Sequence, residues 1–308
     1  MSFLYKAEPT RGAIWAKRFA DVVPDVPFHI WPETGDPLAV EYLAAWQPPE
    51  NLMQTFPNLK LVFCVAAGVD NFDLSGIPEH IPVVRMIEPG LEAGMTEYVL
   101  LTVLAAHRDW LQYLDQQRNK VWKNLPVRLA STRRVGILGM GKLGKPAAQA
   151  LAGIGFQVAG WSRSRHEVEG VETFAGEDEL PAFLARTDIL VCLLPLTDAT
   201  RGILDRKLFD ALPKGAIMIN TGRGAHLIEE DLIAAIDDGQ LGGAFLDVAK
   251  VEPLPADSPL WSHPRIVITP HVASQTQAES SIDVLLENLK NFQTGGPLTG
   301  LIDRKLGY

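Results

Sequence analysis

Three residues in this chain could do chemistry together, because each follows a short apolar run that reads as a strand. After Met218-Ile219-Asn220 comes Thr221-Gly222-Arg223-Gly224. An arginine bracketed by glycines at a strand end can aim a planar pair of donors at a carboxylate or keto oxygen. After Phe245-Leu246-Asp247-Val248 comes Glu252, held extended ahead of Pro253. After Ile266-Val267-Ile268 comes Thr269-Pro270-His271. Taken singly, the arginine reads equally well as a surface residue in a turn, while a lone loop glutamate is usually just solvated and a lone histidine is more often structural. Taken together they fit carbonyl reduction, which requires a hydride donor, a proton donor and an electrophilic group for the oxygen. Histidine can give the proton near neutral pH. A carboxylate beside it favours imidazolium and orients the ring, and arginine supplies the positive charge. The other six histidines (His29, His80, His107, His166, His226 and His263) lack a comparable setting.

The hydride donor is implied by residues 134–165, RVGILGMGKLGKPAAQALAGIGFQVAGWSRSR. The apolar run Val135 to Leu138 leads into Gly139-Met140-Gly141-Lys142-Leu143-Gly144, then an alanine-rich amphipathic run, then a second apolar run from Phe156 to Trp161. Strand, glycine turn, helix, strand is the order a dinucleotide fold needs. Gly139 suits the tight turn, Gly141 lets the backbone approach a pyrophosphate, and Gly144 lets the helix pack closely. The pyrophosphate would sit on the unpaired N–H groups at the helix start.

The end of the second strand narrows the cofactor. A site for NAD usually has Asp or Glu there, accepting from the ribose hydroxyls. Here the position reads Trp161-Ser162-Arg163-Ser164-Arg165. Two guanidiniums and two hydroxyls suit a phosphate dianion through paired hydrogen bonds. The reading is NADP(H); the alternative is a solvated basic loop.

The elements that must hold these groups are legible in outline. A chain of 308 residues accommodates two domains. Hydrophobic content of 47% and 26 glycines fit a packed α/β protein. A net charge of −9 argues against general affinity for nucleic acid or an anionic membrane. Cys64 and Cys192 each sit inside an apolar run and read as buried strand residues rather than a disulfide or metal pair. No metal is expected. No secretory apolar region opens the chain and no apolar run reaches membrane-spanning length, so a cytoplasmic protein is the default. The apolar runs GAIWA, PFHIW, LKLVFCVAAG and PVVRMI suggest a small parallel α/β unit in the first hundred residues. One long helical pattern runs from Gly94 to Leu114. Further strands are expected at Ile189–Leu194, Ala216–Asn220, Gly243–Val248 and Ile266–Ile268, with helices at Asp178–Ala185, Glu229–Asp238 and Gln275–Phe292. The near-continuous apolar strands fit a parallel sheet covered on both faces.

At this point the chain resembles one family, the D-2-hydroxyacid dehydrogenases. The resemblance covers roughly residues 60 to 290 and rests on AAGVDNFD at 66–73, GMTEYVLLTVL at 94–104, GILGMGKLG at 136–144, LLPLTDATRGIL at 193–204, INTGRGAHLIEEDLIAAI at 219–236, GGAFLDVAKVEPLPADSPLW at 242–261 and VITPHVASQT at 267–276. WSRSR makes it most similar to the glyoxylate/hydroxypyruvate reductase branch that uses NADPH. The resemblance implies a Rossmann-type doubly wound parallel sheet over residues 100–275. It also implies a discontinuous flavodoxin-like α/β substrate domain from residues 1–99 and 276–308. It places the catalytic trio on Arg223, Glu252 and His271, and the substrate carboxylate on Arg223, His271 and the Ala67-Gly68 backbone. The cofactor would be lined by the glycine loop (Gly139 to Gly144), the 161–165 loop, Leu194, Pro195, Leu196, Thr200, Thr221 and Gly222, with Asp247 on the nicotinamide carboxamide. A homodimer joined through the nucleotide domains is also implied. Trp122 is similar to a tryptophan that reaches the neighbouring subunit's site in some reductases, and Trp46 either lines the substrate pocket or packs. The expected reaction is NADPH-dependent reduction of small 2-keto acids, with His271 as proton donor. The alternatives are a dinucleotide-sensing regulator of the corepressor kind, or a dehydrogenase of another small acid such as formate or phosphite.

Overall fold

The computed structural model describes residues 1–69, 72 and 74–304; Asp70, Asn71 and Asp73, which belong to the 66–73 motif, and residues 305–308 lie outside the described residues. The chain divides into two compact units, Met1–Leu91 with Gln275–Tyr308, and Glu92–Ser274. Among the described residues no helix is long and apolar enough to cross a membrane.

The first unit is a five-stranded parallel sheet: β1 (Ser2–Lys6), β2 (Phe28–Ile30), β3 (Val40–Ala45), β4 (Leu61–Cys64) and β5 (Val83–Arg85), in the order β2-β1-β3-β4-β5. That is the flavodoxin-like order. The GAIWA run is not a strand. It lies in the helix Pro9–Val22, where Gly12, Trp15 and Phe19 share the buried face at helical spacing. The Glu8 carboxylate caps that helix, accepting from the Thr10 and Arg11 amides at 2.6 and 2.7 Å. Those two bonds hold the Glu8 carboxyl below its usual range. The C-terminal helix, Ala278–Thr294, packs in the same unit: Trp15 Nε1 donates to the Ala278 carbonyl at 3.0 Å, and Ile282, Leu285 and Leu289 join Phe3, Trp15 and Phe19 in one core cluster.

The second unit holds seven parallel strands: β6 (Arg134–Leu138), β7 (Gln157–Ser162), β8 (Glu172–Ala175), β9 (Ile189–Cys192), β10 (Ala216–Asn220), β11 (Leu241–Leu246) and β12 (Ile266–Ile268). Their order is β12-β11-β10-β9-β6-β7-β8. Within this unit the strand order reverses between β6 and β9, the doubly wound arrangement whose crevice binds dinucleotides. The fold class is therefore as the sequence implied. At the amino edge of that switch point, Asp188 accepts three bonds from Arg134, at 2.6, 3.0 and 3.2 Å. Burial raises the Asp188 carboxyl, but the bonds from Arg134 outweigh it and leave it below its usual range.

The long helical pattern from Gly94 to Leu114 is two helices, Pro89–His107 and Trp110–Arg118. Asp109 breaks it with a left-handed backbone, φ +54°, a conformation Asp tolerates better than most residues. The periodicity carries through the break, which is why the sequence pattern did not show it.

Candidate active site

Because every strand pair in the second unit is parallel, the strands end together. Trp161 pairs with Leu138, Leu138 with Cys192, Cys192 with Asn220, Asn220 with Leu246 and Leu246 with Ile268. These six residues form one row across the carboxyl edge of the sheet. The segments that follow them are the WSRSR loop, the glycine turn, LPLT, TGRG, the Asp247–Glu252 loop and the His271 loop. Five stretches far apart in sequence are thereby brought beside the glycine turn.

The three glycines of the turn answer to different requirements. Gly139 has φ +105°, and a Cβ there would lie 2.7 Å from the Leu193 carbonyl oxygen of the neighbouring strand end. A Cβ on Gly144 would lie 1.9 Å from the Gly139 carbonyl oxygen, so the helix Gly144–Ile154 packs on its strand only because that atom is missing. A Cβ on Gly141 would meet nothing within 4 Å. Nothing within the protein demands that glycine; it leaves the backbone bare toward open space at a helix start with no side-chain cap. This is the cradle a pyrophosphate fits. The Met140 and Trp161 side chains, by contrast, are buried. Met140 Sδ occupies the space where a Gly160 Cβ would be, and Trp161 Nε1 donates to the Gly176 carbonyl at 2.8 Å. At these two positions only the backbone is available to a ligand. Lys142 is exposed, and Leu143 is half-buried against the core.

At the end of β7, Ser162 Oγ donates to the Ser164 carbonyl at 2.8 Å and closes the loop that presents Arg163 and Arg165. Both arginines are exposed. Arg165 donates to the Thr173 carbonyl at 2.7 Å and pairs with Glu179, whose other oxygen accepts the Ala175 amide at 2.6 Å. One arginine of the loop is thus braced within its own domain.

Arg223 sits in a turn held from several sides. Asn220, fully buried, accepts from the Gly222 amide and donates to the Arg223 carbonyl, both at 3.1 Å. Arg223 Nη1 donates to the Gly222 carbonyl at 2.8 Å, and the Arg223 amide donates to His226 Nδ1 at 3.0 Å. Gly224 lets this turn meet the next loop, for its Cβ would lie 2.0 Å from the Ala249 carbonyl. Thr221 is buried, and its amide and hydroxyl both donate to the Cys192 carbonyl, at 3.2 and 3.3 Å. Cys192 itself is fully buried, which pushes its thiol up to about 12 and leaves it unreactive. Both cysteines are buried thiols, as expected, and do not form a disulfide. In the LPLT segment Leu194 is buried, Leu196 is half-buried, and Thr200 Oγ1 donates to the Pro195 carbonyl at 2.7 Å.

Glu252 and His271 are in contact: Nδ1 lies 2.8 Å from Oε2, while the other carboxylate oxygen accepts the Ala249 amide at 3.0 Å. An ionised carboxylate accepts only, so Nδ1 carries a proton and Nε2 is the nitrogen left for exchange with a ligand. The side chains are 32% and 37% exposed, open enough for a small molecule to reach. His271 has φ +56°, a left-handed conformation imposed by Asp247. The Asp247 carbonyl accepts the His271 amide at 2.8 Å. One carboxylate oxygen takes Thr269 Oγ1 at 2.6 Å and the Val272 amide at 2.8 Å; the other takes the Ala273 amide at 2.9 Å. Tyr98 hydroxyl adds a 2.6 Å bond to Thr269 Oγ1, and burial raises the Tyr98 phenol above its ordinary value. The second Asp247 oxygen keeps a lone pair, enough for one amide donor.

In the first unit Ala67 and Gly68 follow β4. The Ala67 carbonyl accepts from Arg85 at 3.3 Å and the Gly68 carbonyl from Cys64 Sγ at 3.2 Å, while no acceptor among the described residues takes the Ala67 or Gly68 amide. Trp46 follows β3, the neighbouring strand, and is 38% exposed. Trp122 is 97% exposed and touches no core.

Sequence reasoning missed Asn220, His226, Thr269 with Tyr98, and Glu179. Only His226 had a signal: a side-chain acceptor three residues after Arg223 has the spacing of a capping turn.

Residues 100–273 match the family model for D-isomer specific 2-hydroxyacid dehydrogenase, NAD binding domain. The chain is 40% identical over 300 residues, 96% of each chain, to glyoxylate/hydroxypyruvate reductase A of Yersinia enterocolitica. It is 38% identical over the full length of both to the protein of that name from Salmonella newport. Among solved structures it resembles a D-isomer specific 2-hydroxyacid dehydrogenase from Xanthobacter autotrophicus in complex with NADPH and MES (37% identity, 100% and 99% of the chains, TM-score 0.94). It also resembles the NADPH-dependent glyoxylate/hydroxypyruvate reductase of Sinorhizobium meliloti in complex with NADP and sulfate (36% identity, 100% of both chains, TM-score 0.93).

Proposed function

Because the chain belongs to the D-isomer specific 2-hydroxyacid dehydrogenase family, we propose that it reduces small 2-keto acids, glyoxylate and hydroxypyruvate among them, to 2-hydroxy acids with NADPH. The observation that carries this reading is the 2.8 Å contact between His271 and Glu252, on the same sheet edge as the glycine turn and the Arg223 turn. When bound, NADPH supplies the hydride to the keto carbon. The bare Gly141 backbone and the uncapped helix start would hold its pyrophosphate. Arg163 and Arg165 would meet the 2′-phosphate, in a loop that carries no acidic residue of its own. Asp247 would accept from the carboxamide through its remaining lone pair.

The protein's own part is then positioning and proton transfer. Arg223 would bind the substrate carboxylate; in the first unit, the Ala67 and Gly68 amides are donors of the kind a carboxylate takes. Glu252 fixes the ring of His271, which gives the proton to the oxygen from Nε2. Residues 1–91 with 275–304 form the substrate-binding part in this reading. A homodimer would cover Leu101, Trp110, Val121, Trp122, Val127 and Leu129, all exposed on the second unit. A cytoplasmic location suits two cysteines that stay buried thiols and form no disulfide.

The test is oxidation of NADPH, followed by its absorbance, over a panel of 2-keto acids. His271→Ala is expected to lower kcat about 10²–10⁴-fold, the contribution of a positioned acid. Near-wild-type turnover in that variant would remove His271 from the chemistry. Absence of turnover in the wild type would favour a nucleotide-sensing role instead.

A further inference from the structure

We propose that His226 is a positioning residue that ties the substrate-side turn of Arg223 to the cofactor-side LPLT segment. The inference rests on the function proposed above. His226 is completely buried in the second unit. Its Nδ1 lies 3.0 Å from the Arg223 amide nitrogen, and its Nε2 lies 3.2 Å from the Pro195 carbonyl oxygen. A backbone N–H can only donate, so Nδ1 is the unprotonated nitrogen. The neutral ring then carries its proton on Nε2 and donates it to Pro195. Pro195 oxygen also accepts Thr200 Oγ1 at 2.7 Å, which fills both of its lone pairs. One imidazole therefore uses both nitrogens, joining the segment that follows β9 to the turn that follows β10.

The surrounding backbone is built around that ring. A Cβ on Gly222 would lie 2.9 Å from Nδ1 and 3.1 Å from Cε1, so the glycine before Arg223 makes room for the imidazole as well as for the turn. On the far side Gly224 presses the turn against Ala249. The His226 carbonyl accepts the Leu204 amide at 2.8 Å, and the Ala225 carbonyl accepts the Gly202 amide at 2.9 Å. Both donors lie in the segment that continues from LPLT. A displacement of either the Arg223 turn or the Pro195 carbonyl is thereby transmitted to the other through a single rigid ring. The residue's role is to hold Arg223 at the height of the bound cofactor, without touching substrate itself.

Two variants separate the two bonds. Asn places an oxygen where Nδ1 stands but does not reach Pro195; Gln reaches Pro195 with an amide donor but offers nothing at Nδ1. In the full-length protein, His226→Asn is expected to weaken NADPH binding about fivefold and keep the glyoxylate KM within about twofold, since one neutral hydrogen bond is lost on the cofactor side alone. His226→Gln is expected to do the reverse, raising the glyoxylate KM about fivefold with NADPH affinity within about twofold. NADPH affinity is read by fluorescence titration, KM and kcat by NADPH oxidation, and folding by circular dichroism. A residue that merely fills space would move both constants together in both variants, or neither, and either pattern overturns the proposal. Wild-type turnover keeps the two ideas apart. A wild type that leaves NADPH unoxidised by glyoxylate overturns the function, whereas an active wild type with no split between the variants overturns only the role of His226.

Discussion

Gly141 and Gly144 lie three residues apart in one turn, yet Ala is expected to have opposite consequences at the two positions. At Gly141 the added methyl meets nothing within 4 Å, and the residue is not in the left-handed region. The unliganded protein is then unchanged, or more stable by about 0.4–1 kcal/mol because the unfolded chain loses freedom. The methyl does occupy the space through which a pyrophosphate would approach the backbone. Overpacking of this kind costs about 1–3 kcal/mol, which corresponds to roughly a 5- to 150-fold rise in the dissociation constant for NADPH. At Gly144 the methyl lies 1.9 Å from the Gly139 carbonyl oxygen. That is roughly 1.5 Å inside ordinary contact, and the opposing atom is backbone, which cannot rotate away. The helix Gly144–Ile154 must lift off its strand, at a cost of about 1–3 kcal/mol or more. At about 2–4 °C per kcal/mol, the melting temperature without nucleotide falls by roughly 2–12 °C. Thermal melts of the unliganded variants and fluorescence titrations with NADPH measure both effects. Gly141→Ala with wild-type NADPH affinity would show that no phosphate lies against this backbone. Gly144→Ala with a wild-type melt would show that the close approach is not tight.

Removing the basic loop is expected to act on cofactor choice. Arg163→Ala combined with Arg165→Ala loses charge-assisted bonds, each worth about 1.5–3 kcal/mol, so NADPH affinity falls at least tenfold while NADH affinity changes little; parallel titrations with the two nucleotides check this, and equal losses would make the arginines mere surface charge. A pH effect is expected from His107, which is buried with no hydrogen-bond partner on Nδ1. Burial lowers its pKa, and Arg133, Arg108 and Arg128 lower it further, against a smaller opposing effect of Asp109. The unfolded chain therefore takes up a proton near pH 6.5 while the folded protein does not. His107 thus costs nothing above that pH, and stability is lost progressively as pH falls from there through the folded pKa. Urea midpoints at pH 8 and pH 5.5 should show the loss, and His107→Gln should flatten it; an unchanged slope in the variant would shift the effect to other groups.

Much of the fold could be read before any coordinates, and for local reasons. Ile189–Cys192, Ala216–Asn220 and Ile266–Ile268 are short apolar runs bounded by polar or turn residues, and such runs are strands wherever both faces are covered. The catalytic candidates Arg223, Glu252 and His271 were visible because each stands where a strand ends, and strand ends in such sheets face the ligand. What misled was also local. GAIWA is apolar enough for a strand, and only its spacing toward Trp15 and Phe19 identifies the helix. The pattern from Gly94 to Leu114 keeps its period across Asp109 although the backbone turns there.

From the sequence alone came most of the element types, the requirement for glycine at the turn, the missing acid after Trp161 and the three candidate side chains, because each depends on a residue and its immediate neighbours. The tertiary structure decided which of them meet. That Leu138, Cys192, Asn220, Leu246 and Ile268 fall in one row is a matter of strand register, set by pairing between segments dozens of residues apart. The brace of Arg165 by Glu179, the clamp of Asp247 on the His271 loop and the reach of His226 from Arg223 to Pro195 all follow from that register. Such contacts have no periodicity to betray them, since a side chain's partner is fixed by the packing of the sheet and not by its place along the chain.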